Sequence, residues 1–331
     1  MMLHENNDAF KALISSISER TNIREDIIEK DYYLTLLLFE LAEKQNEIHA
    51  FFKGGTALYK AIGKMIRFSE DIDITVDIDG CSNSQKKSRL EKSAKYNTLP
   101  RTHDKTLETN IRGSITNVYE YEPITAVDTH DQLQRFGRVK VEATSFTISR
   151  PSESLKISAL LYSEASPEQQ RILETEFGIK PFFINTIKLE RIFCDKILAA
   201  EFYYVRGELF DTSKHLFDIS VMLEMPRIQK MLADSNEFIE MLSYKRSEER
   251  ERIGSDLADK PFSKFLLFSS IGNDKKLEEA FSEMQRIYVF KQEDMLGYSD
   301  MQQKIHNLNV KLLKLDEGLS QDEKQLPQLT M

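Results

Sequence analysis

Two aspartates separated by one residue, Asp71 and Asp73, have the spacing in this sequence that most directly suggests chemistry. Residues 68–78 alternate polar and apolar side chains with the period of a strand, so both carboxylates point to one face. Adjacent carboxylates repel each other unless a cation lies between them, and hard divalent ions prefer oxygen ligands. We therefore predict a site for Mg²⁺ or Mn²⁺ that also takes phosphate oxygens of a substrate.

A pair of glycines suggests the phosphate site that such a metal would need. Gly54 and Gly55 follow a short apolar run, residues 49–52, that predicts a strand, and they precede a helical run that begins at Thr56. Glycine lets the backbone approach a ligand closely, and the first N–H groups of a helix can bind phosphate. Ser69 could add a hydroxyl donor, so we predict that these four residues bind the phosphates of a nucleotide.

A third carboxylate is expected from a neighbouring strand. Residues 138–146 predict a strand in which Val139 and Val141 face the core, while Lys140 and Glu142 share the opposite face. Glu142 would then complete the metal site. The alternative is a Lys140–Glu142 pair on an exposed strand face, with no role in catalysis.

Two charged residues of a later, helical region are further candidates. Lys196 lies on a helix predicted over residues 187–205, and Asp218 lies on the next, predicted over 214–225. A lysine near a triphosphate would neutralise charge on the leaving group, and an aspartate could orient that lysine or contact the nucleotide. The alternative, which spacing alone does not exclude, is that Lys196 and Asp218 are ordinary charged residues on solvated helix faces.

The hydrophobic periodicity changes near Thr186 and defines the expected organisation. We predict an α+β fold in which residues 1–185 form a mixed sheet with helices, and residues 186–331 form a mostly helical domain that contributes Lys196 and Asp218 to an active cleft. The other elements predicted by periodicity are a helix over 24–44, strands over 119–124 and 155–162, and helices over 228–242 and 275–291.

Composition excludes several classes of protein. The 331 residues carry a net charge of −9, which argues against a surface that binds nucleic acid everywhere. Cys81 and Cys194 provide neither a disulfide framework nor zinc-ligand spacing. No apolar run is long enough to span a membrane, and the first residues lack the pattern of a signal peptide, so we expect a cytoplasmic protein with no membrane contact.

One local stretch is basic despite the acidic whole. Residues 84–118 contain three acids and eight basic residues, which are Lys86, Lys87, Arg89, Lys92, Lys95, Arg101, Lys105 and Arg112. This stretch, residues 86–112, could bind the phosphates of RNA. The alternative is an ordinary solvated helix and loop.

The order of a strand, Gly-Gly, a helix and an Asp-x-Asp strand is the layout of nucleotidyltransferases of the DNA-polymerase-β type. Within that superfamily, the chain resembles the AbiEii/AbiGii toxin family of bacterial abortive-infection and toxin–antitoxin systems. The resemblance is carried, in order, by IIEKDY at 27–32, FKGGTAL at 52–58, RFSEDID at 67–73, and DKIL at 195–198 with KHLFD at 214–218.

The resemblance implies a role for each candidate residue. Those that would bind phosphate are Gly54, Gly55, Thr56 and Ser69, and those that would bind metal are Asp71 and Asp73. Lys196 and Asp218 match a lysine and an aspartate that the family needs for activity. Lys214 stands where the family commonly has an arginine, and Glu142 rests on the superfamily layout more than on a local motif.

The activity implied is transfer of a nucleotide from an NTP to an acceptor, with release of pyrophosphate. Family resemblance favours RNA as the acceptor, at the 3′ end of tRNA, and a toxin whose cognate antitoxin is encoded separately. Two alternatives stay open: transfer to a hydroxyl of a protein or a small molecule, and an inactive homologue that only binds a partner. The intact carboxylates weigh against the last, because an unused site would be expected to lose one of these repelling neighbours.

Overall fold

A computed structural model of the chain describes residues 2–64, 66–126 and 136–325, with side chains up to residue 316. By its internal contacts the chain divides into two compact units. Unit 1 comprises Met1–Lys188 and Tyr288–Asp294, and unit 2 comprises Leu189–Ile287 and Met295–Met331. The sequence placed the boundary after residue 185 and assigned 288–294 to the helical domain, whereas the contacts return this short segment to unit 1.

Unit 1 is built on a mixed sheet, which confirms the predicted fold class. Within the described residues it has seven strands in the order β3-β4-β5-β2-β1-β7-β6. The pairs β2–β5 and β1–β7 are parallel, and the other neighbours are antiparallel. The strands are β1 Ala50–Lys53, β2 Asp71–Val76, β3 Thr109–Ile111, β4 Ser114–Glu120, β5 Arg138–Thr144, β6 Ser152–Ile157 and β7 Phe182–Ile187.

Six α-helices of unit 1 lie among the described residues. They are α1 Asn7–Thr21, α2 Glu25–Ile48, α3 Gly54–Ile62, α4 Asn83–Ser93, α5 Leu160–Ser163 and α6 Pro167–Phe177. The basic segment, for which one interpretation was a solvated helix and loop, thus contains α4. Helix α6 and strand β7 were missed, although the capping box of Ser166 with Gln169 marks the start of α6.

Two predicted strands were misplaced, each for a local reason. The strand predicted over 119–124 lies earlier, as β4, because the chain turns at Gly113 and pairs β4 with β3. Pro123 has no backbone N–H to continue a ladder beyond Glu120. The strand predicted over 155–162 ends at Ile157, and the apolar residues after it begin α5.

Helix α2 is buried on several sides, and three consecutive charged residues in it are almost inaccessible. Glu29, Lys30 and Asp31 are 1%, 2% and 3% exposed. Because successive helical residues are turned by about 100°, these side chains point to three different neighbours. Glu29 accepts backbone hydrogen bonds of 2.8 and 3.1 Å from Ile124 and Thr125, which anchors the chain after β4.

The other two charges of this run hold segments on either side of the predicted site. The Lys30 amine donates to the Glu70 carboxylate at 3.4 Å, directly before β2. Asp31 accepts a 2.7 Å ion-pair hydrogen bond from Lys60 of α3 and a 2.5 Å hydrogen bond from the Leu160 N–H at the start of α5. One turn of α2 therefore fixes β2, α3 and α5 through ionic contacts.

The segment Tyr288–Asp294, which comes from late in the chain, also contacts the residues before β2. The Phe68 N–H donates to the Tyr288 carbonyl at 2.7 Å, and the Tyr288 hydroxyl donates to Glu70 at 3.2 Å. Glu70 is therefore held from one side by α2 and from the other by this returning segment.

Unit 2 is helical, as predicted. Its described helices are α7 Leu189–Val205, α8 Leu209–Met222, α9 Pro226–Ala233, α10 Ser235–Glu248, α11 Leu266–Ser270, α12 Lys275–Tyr288, whose last residue belongs to unit 1, and α13 Tyr298–Gln325. The single helix predicted over 228–242 is two helices, because α9 ends before Asp234 and the Asp234 side chain caps α10. In the described parts of both units, no helix is long and apolar enough to cross a membrane.

Replacement of Asp31 by Asn should destabilise the protein by about 3 kcal/mol, because it leaves the buried Lys60 ammonium without its counter-charge. The matched control is Glu91→Gln, which removes one partner of the exposed Lys87–Glu91 pair and should cost at most about 1 kcal/mol. Urea unfolding of the metal-free protein measures both. Equal losses for the two variants would contradict the anchoring role of Asp31.

Candidate active site

The register of β2 and β5 brings three carboxylates to one face of the sheet. In this parallel pair Asp71 lies beside Lys140, and Asp73 lies beside Glu142. The alternate β5 residues, Val139 and Val141, are fully buried on the other face, as predicted. The structure therefore places Asp71, Asp73 and Glu142 on one face of two neighbouring strands, as the sequence predicted.

Lys140 lies among these carboxylates, and sequence reasoning missed its main partner. Its amine is 2.8 Å from Asp71 Oδ2 and 3.6 Å from Glu142 Oε2. Burial disfavours the charged lysine, but Asp71 and then Glu142 outweigh it and raise the Lys140 pKa above its ordinary value. The proposed alternative of a simple Lys140–Glu142 pair is thus incomplete, because Asp71 is the nearer partner.

Asp73 has an unusual charge environment. Burial raises the pKa of its carboxyl to about 6, and this effect is opposed by Lys53 and reinforced by Glu142 and Asp71. Lys53 is the register partner of Asp73 on β1. A carboxylate that is costly to ionise beside two others gains much from a bound cation, because the cation removes the like-charge repulsion.

Helix α3 begins at Gly54, two residues earlier than predicted, and comes unusually close to Asp73. Gly54 has a φ of +80°, and a Cβ on it would lie 2.1 Å from Asp73 Oδ2. Only glycine permits this approach in that left-handed conformation. A Cβ on Gly55 would lie 2.8 Å from the Ser69 hydroxyl. The first N–H groups of α3 therefore belong to Gly54, Gly55 and Thr56, next to Asp73 and Ser69.

The Thr56 side chain is committed to the protein itself. It is 3% exposed, and its hydroxyl donates to the Asp71 carbonyl at 2.6 Å. The Ser69 hydroxyl oxygen lies 2.9 Å from the Thr56 hydroxyl oxygen. The predicted phosphate contact of Thr56 consequently depends on its backbone N–H, while its side chain fixes the start of β2 against α3.

A cavity of about 130 Å³ adjoins Thr56 and Ser69 and is also bordered by Lys60, Lys64 and Lys156. Sites for small organic ligands usually measure about 300 Å³ or more. The cavity is too small for a nucleotide, so we assign no substrate to it.

The residues present fit a divalent ion on one condition. Across the ranges that the structure describes, no three His, Cys, Asp or Glu side chains converge as a metal site. Asp71 and Asp73 nevertheless offer hard oxygen donors on one face, beside the N–H groups of α3. The Lys140 ammonium lies between Asp71 and Glu142, and it must move before both can bind the same ion.

Lys196 and Asp218 form a buried ion pair in unit 2. The Lys196 amine donates to Asp218 Oδ2 at 2.6 Å, and their side chains are 6% and 1% exposed. They lie on α7 and α8, so the alternative of two solvated helix faces is wrong. An aspartate that orients the lysine was one of the two roles considered, and the pairing has that geometry.

A second set of buried charges supports the helix that carries Lys196. Arg191 is fully buried on α7 and binds Glu248 of α10 at 2.8 Å, as well as Asp195 one turn along its own helix. Lys245 binds the other oxygen of Glu248 at 2.6 Å. The Arg191–Glu248 contact was not predicted, because nothing in local spacing shows which helices become neighbours.

Comparison with known proteins bears on the activity. The model of a family described as "Nucleotidyl transferase AbiEii toxin, Type IV TA system" matches residues 36–306. No curated protein matches the chain. Among solved structures, JHP933 from Helicobacter pylori is 14% identical, with 91% of this chain and 98% of that chain covered and a TM-score of 0.43. MenT4, a nucleotidyltransferase toxin from Mycobacterium tuberculosis H37Rv, is 13% identical, with 82% and 98% covered and a TM-score of 0.36.

Gly54→Ala should be more damaging than Gly63→Ala, although both glycines have a left-handed φ. A Cβ on Gly63 meets nothing within 4 Å, so this control should lose only about 1 kcal/mol from the strained backbone. The Cβ at position 54 would collide with the Asp73 carboxylate, which should cost roughly 2 kcal/mol more. Urea unfolding measures both variants, and losses of the same size would show that the close approach to Asp73 is unimportant.

Proposed function

The chain belongs to the family of AbiEii nucleotidyl transferase toxins of type IV toxin–antitoxin systems, and from this premise we propose that it transfers a nucleoside monophosphate from an NTP to RNA in a metal-dependent reaction. The observation that carries this proposal is the proximity of Asp71 and Asp73 to the first N–H groups of α3. Membership of the family implies a nucleotide substrate and an antitoxin partner. A cytoplasmic location stays a prediction.

The start of α3 supplies the phosphate-binding part of the mechanism. The N–H groups of Gly54, Gly55 and Thr56 have no carbonyl partner within the helix, and the helix dipole favours an anion there. The Ser69 hydroxyl lies beside Gly55 and can donate to the same phosphate. These groups would hold the triphosphate with its α-phosphate towards the carboxylates.

Asp71 and Asp73 would hold Mg²⁺ or Mn²⁺, with Glu142 as a third ligand. When bound, the ion would stabilise negative charge on the α-phosphate and lower the pKa of the attacking hydroxyl. The acceptor hydroxyl would lose its proton to solvent as its oxygen forms a bond to the α-phosphorus, the bond from that phosphorus to the bridging oxygen would break, and pyrophosphate would leave. The chain contributes the fixed positions of the carboxylates on β2 and β5, which the register secures.

Lys196 is proposed to contact the triphosphate, and Asp218 to orient the lysine. The 2.6 Å contact holds the amine in one geometry, so little reorganisation is needed when a phosphate arrives. Lys196 is nearly inaccessible. Its role is therefore best tested by measuring how its replacement changes the rate of transfer.

The proposed RNA contact on the basic stretch 86–112 has a geometric requirement. Asn117 and Tyr119, on the sheet face opposite the carboxylates, donate to the Ala94 carbonyl at the end of α4. Helix α4 therefore packs on the face away from Asp71 and Asp73. A small acceptor would not reach both places, whereas an RNA as long as tRNA could pass the edge of the sheet.

Some basic residues of this stretch are already engaged within the protein. Arg89 donates to the Asp77 carbonyl at 2.8 Å, and Arg101 makes a two-point contact with Glu108 at 2.8 Å. The exposed residues that stay available to RNA phosphates are Lys92, Lys95, Lys105 and Arg112, together with Lys87, whose 3.8 Å pair with Glu91 is itself exposed.

The test of the proposed function is transfer of radiolabel from each NTP to purified tRNA, to total RNA and to total protein, with and without Mg²⁺. Labelled tRNA in a metal-dependent reaction would support the proposal, and the label at its 3′ end would locate the acceptor hydroxyl. Label in protein alone would favour the alternative acceptor. No transfer with any NTP would favour the binding-only homologue.

Asp71→Asn and Asp73→Asn should each lower transfer at least about 100-fold, because each removes a central charge on which the reaction depends. The matched control is Asp79→Asn, since Asp79 lies in the loop after β2 and pairs with Arg150. Rates at saturating Mg²⁺ measure the effect, with thermal melting to check folding. Near-normal transfer by either site variant would refute the metal assignment.

Lys196→Ala should impair transfer, and Lys196→Arg should restore it only partly, because the guanidinium differs from an amine in shape and donor geometry. Since the alanine variant also leaves the buried Asp218 unpaired, melting temperatures must accompany the rates. A folded alanine variant that uses NTP as well as the parent would mean that the ion pair is purely structural.

Replacement of Lys87, Lys92 and Lys95 by Ala should weaken tRNA binding and make it less salt-dependent. Each lost phosphate contact should reduce the slope of log affinity against log salt by roughly one. The control removes three exposed lysines elsewhere, Lys11, Lys230 and Lys276. Binding across a salt series is the measurement, and equal behaviour of the two triple variants would return the stretch to a solvated surface.

A further inference from the structure

The position of Lys140 on the carboxylate face conflicts with a bound metal. In the described structure its ammonium lies 2.8 Å from Asp71 and 3.6 Å from Glu142, which are two of the proposed ligands. We propose that Lys140 is a tethered cation that neutralises these carboxylates in the metal-free enzyme and is displaced when a divalent ion binds. The inference rests on the metal site of the proposed function and adds a competitor to it.

The need for such a cation follows from the register. Three carboxylates lie on one face of two adjacent strands, where like charges repel one another. Lys140 is directly beside Asp71 in the same face, so its ammonium reaches the cluster without any distortion of β5. Lys140 thereby offsets the repulsion between Asp71 and Glu142 in the metal-free site.

Displacement is required because the two cations would be too close. Mg²⁺ binds carboxylate oxygens at about 2.1 Å, so an ion on Asp71 would lie within a few ångströms of the Lys140 amine. This separation is well inside the Debye length of about 8 Å at physiological salt, and the repulsion would not be screened. The amine and the ion therefore compete for the same oxygen atoms.

The environment of Lys140 allows it to leave, in contrast to the other lysine of the proposed mechanism. Its side chain is 40% exposed, and its flexible stem can carry the amine into solvent. Lys196 is 6% exposed and is fixed to a buried aspartate. Lys140 suits a movable charge and Lys196 a stationary one.

The competition has a functional result. Without nucleotide, a divalent ion must displace Lys140 and gains only the carboxylates as protein ligands, so its binding should be weak. With nucleotide, phosphate oxygens add ligands and negative charge, which favours the ion over the amine. The enzyme would load metal together with NTP instead of holding it permanently.

The experiment measures Mn²⁺ binding to the metal-free, nucleotide-free protein by the electron paramagnetic resonance signal of free Mn²⁺, at constant ionic strength. Lys140→Met removes the charge and keeps the stem, and it should bind Mn²⁺ at least about 10-fold more tightly than the parent. Lys140→Arg keeps a cation beside Asp71 and should show no such gain. Lys156→Met, at an exposed position on β6, is the matched control and should equal the parent.

A double variant separates failure of this inference from failure of the proposed function. Asp73→Asn should abolish the tight Mn²⁺ binding when combined with Lys140→Met. If Mn²⁺ binding never depends on Asp73, the proposed metal site itself is wrong. If it depends on Asp73 but Lys140→Met binds no more tightly than the parent, only the tethered cation is wrong. Lys140→Gln repeats the measurement should the methionine variant not fold, and the same two outcomes decide it.

Discussion

The structure of unit 1 depends on three consecutive buried charges in α2. Glu29, Lys30 and Asp31 could not be buried without partners, because an unpaired charge in a protein interior costs several kcal/mol. Their partners come from segments that are distant in sequence, and all three are satisfied only when those segments meet around α2. Lys30 holds Glu70, one residue before Asp71, so the geometry of the candidate site is fixed by ionic contacts as well as by apolar packing.

Patterns within single segments of the sequence predicted those features of the site that depend on one strand or one helix. The alternation around Glu142 showed which face it shares, and the glycines at 54 and 55 marked the start of a helix whose first residues lie next to Asp73 and Ser69. The contact between Lys140 and Asp71 could not be predicted in this way. It depends on which residues of β2 and β5 lie side by side, and strand register between distant segments leaves no periodic trace in either segment.

The Lys196–Asp218 pair of unit 2 and the carboxylate face of unit 1 differ in their balance of charge. In unit 2, Lys196 and Asp218 neutralise each other at hydrogen-bonding distance. In unit 1, carboxylates outnumber the nearby amines, and burial, reinforced by Glu142 and Asp71, raises the pKa of Asp73. A local excess of like charge is unfavourable for folding and is expected where a ligand supplies the missing charge. The imbalance of charge thus marks this face of the sheet as a place where a ligand would be stabilising.

The return of Tyr288–Asp294 to unit 1 makes that unit discontinuous in the gene. The chain crosses between the units three times, so a cut at any one crossing leaves part of one unit covalently joined to the other. A fragment that ends at Lys188 would contain all seven described strands and the Asp-x-Asp motif, but it would lack Tyr288 and its bonds to Phe68 and Glu70. Unit 1 therefore cannot be exchanged between proteins as a single cassette, and recombination would have to carry the distant segment with it.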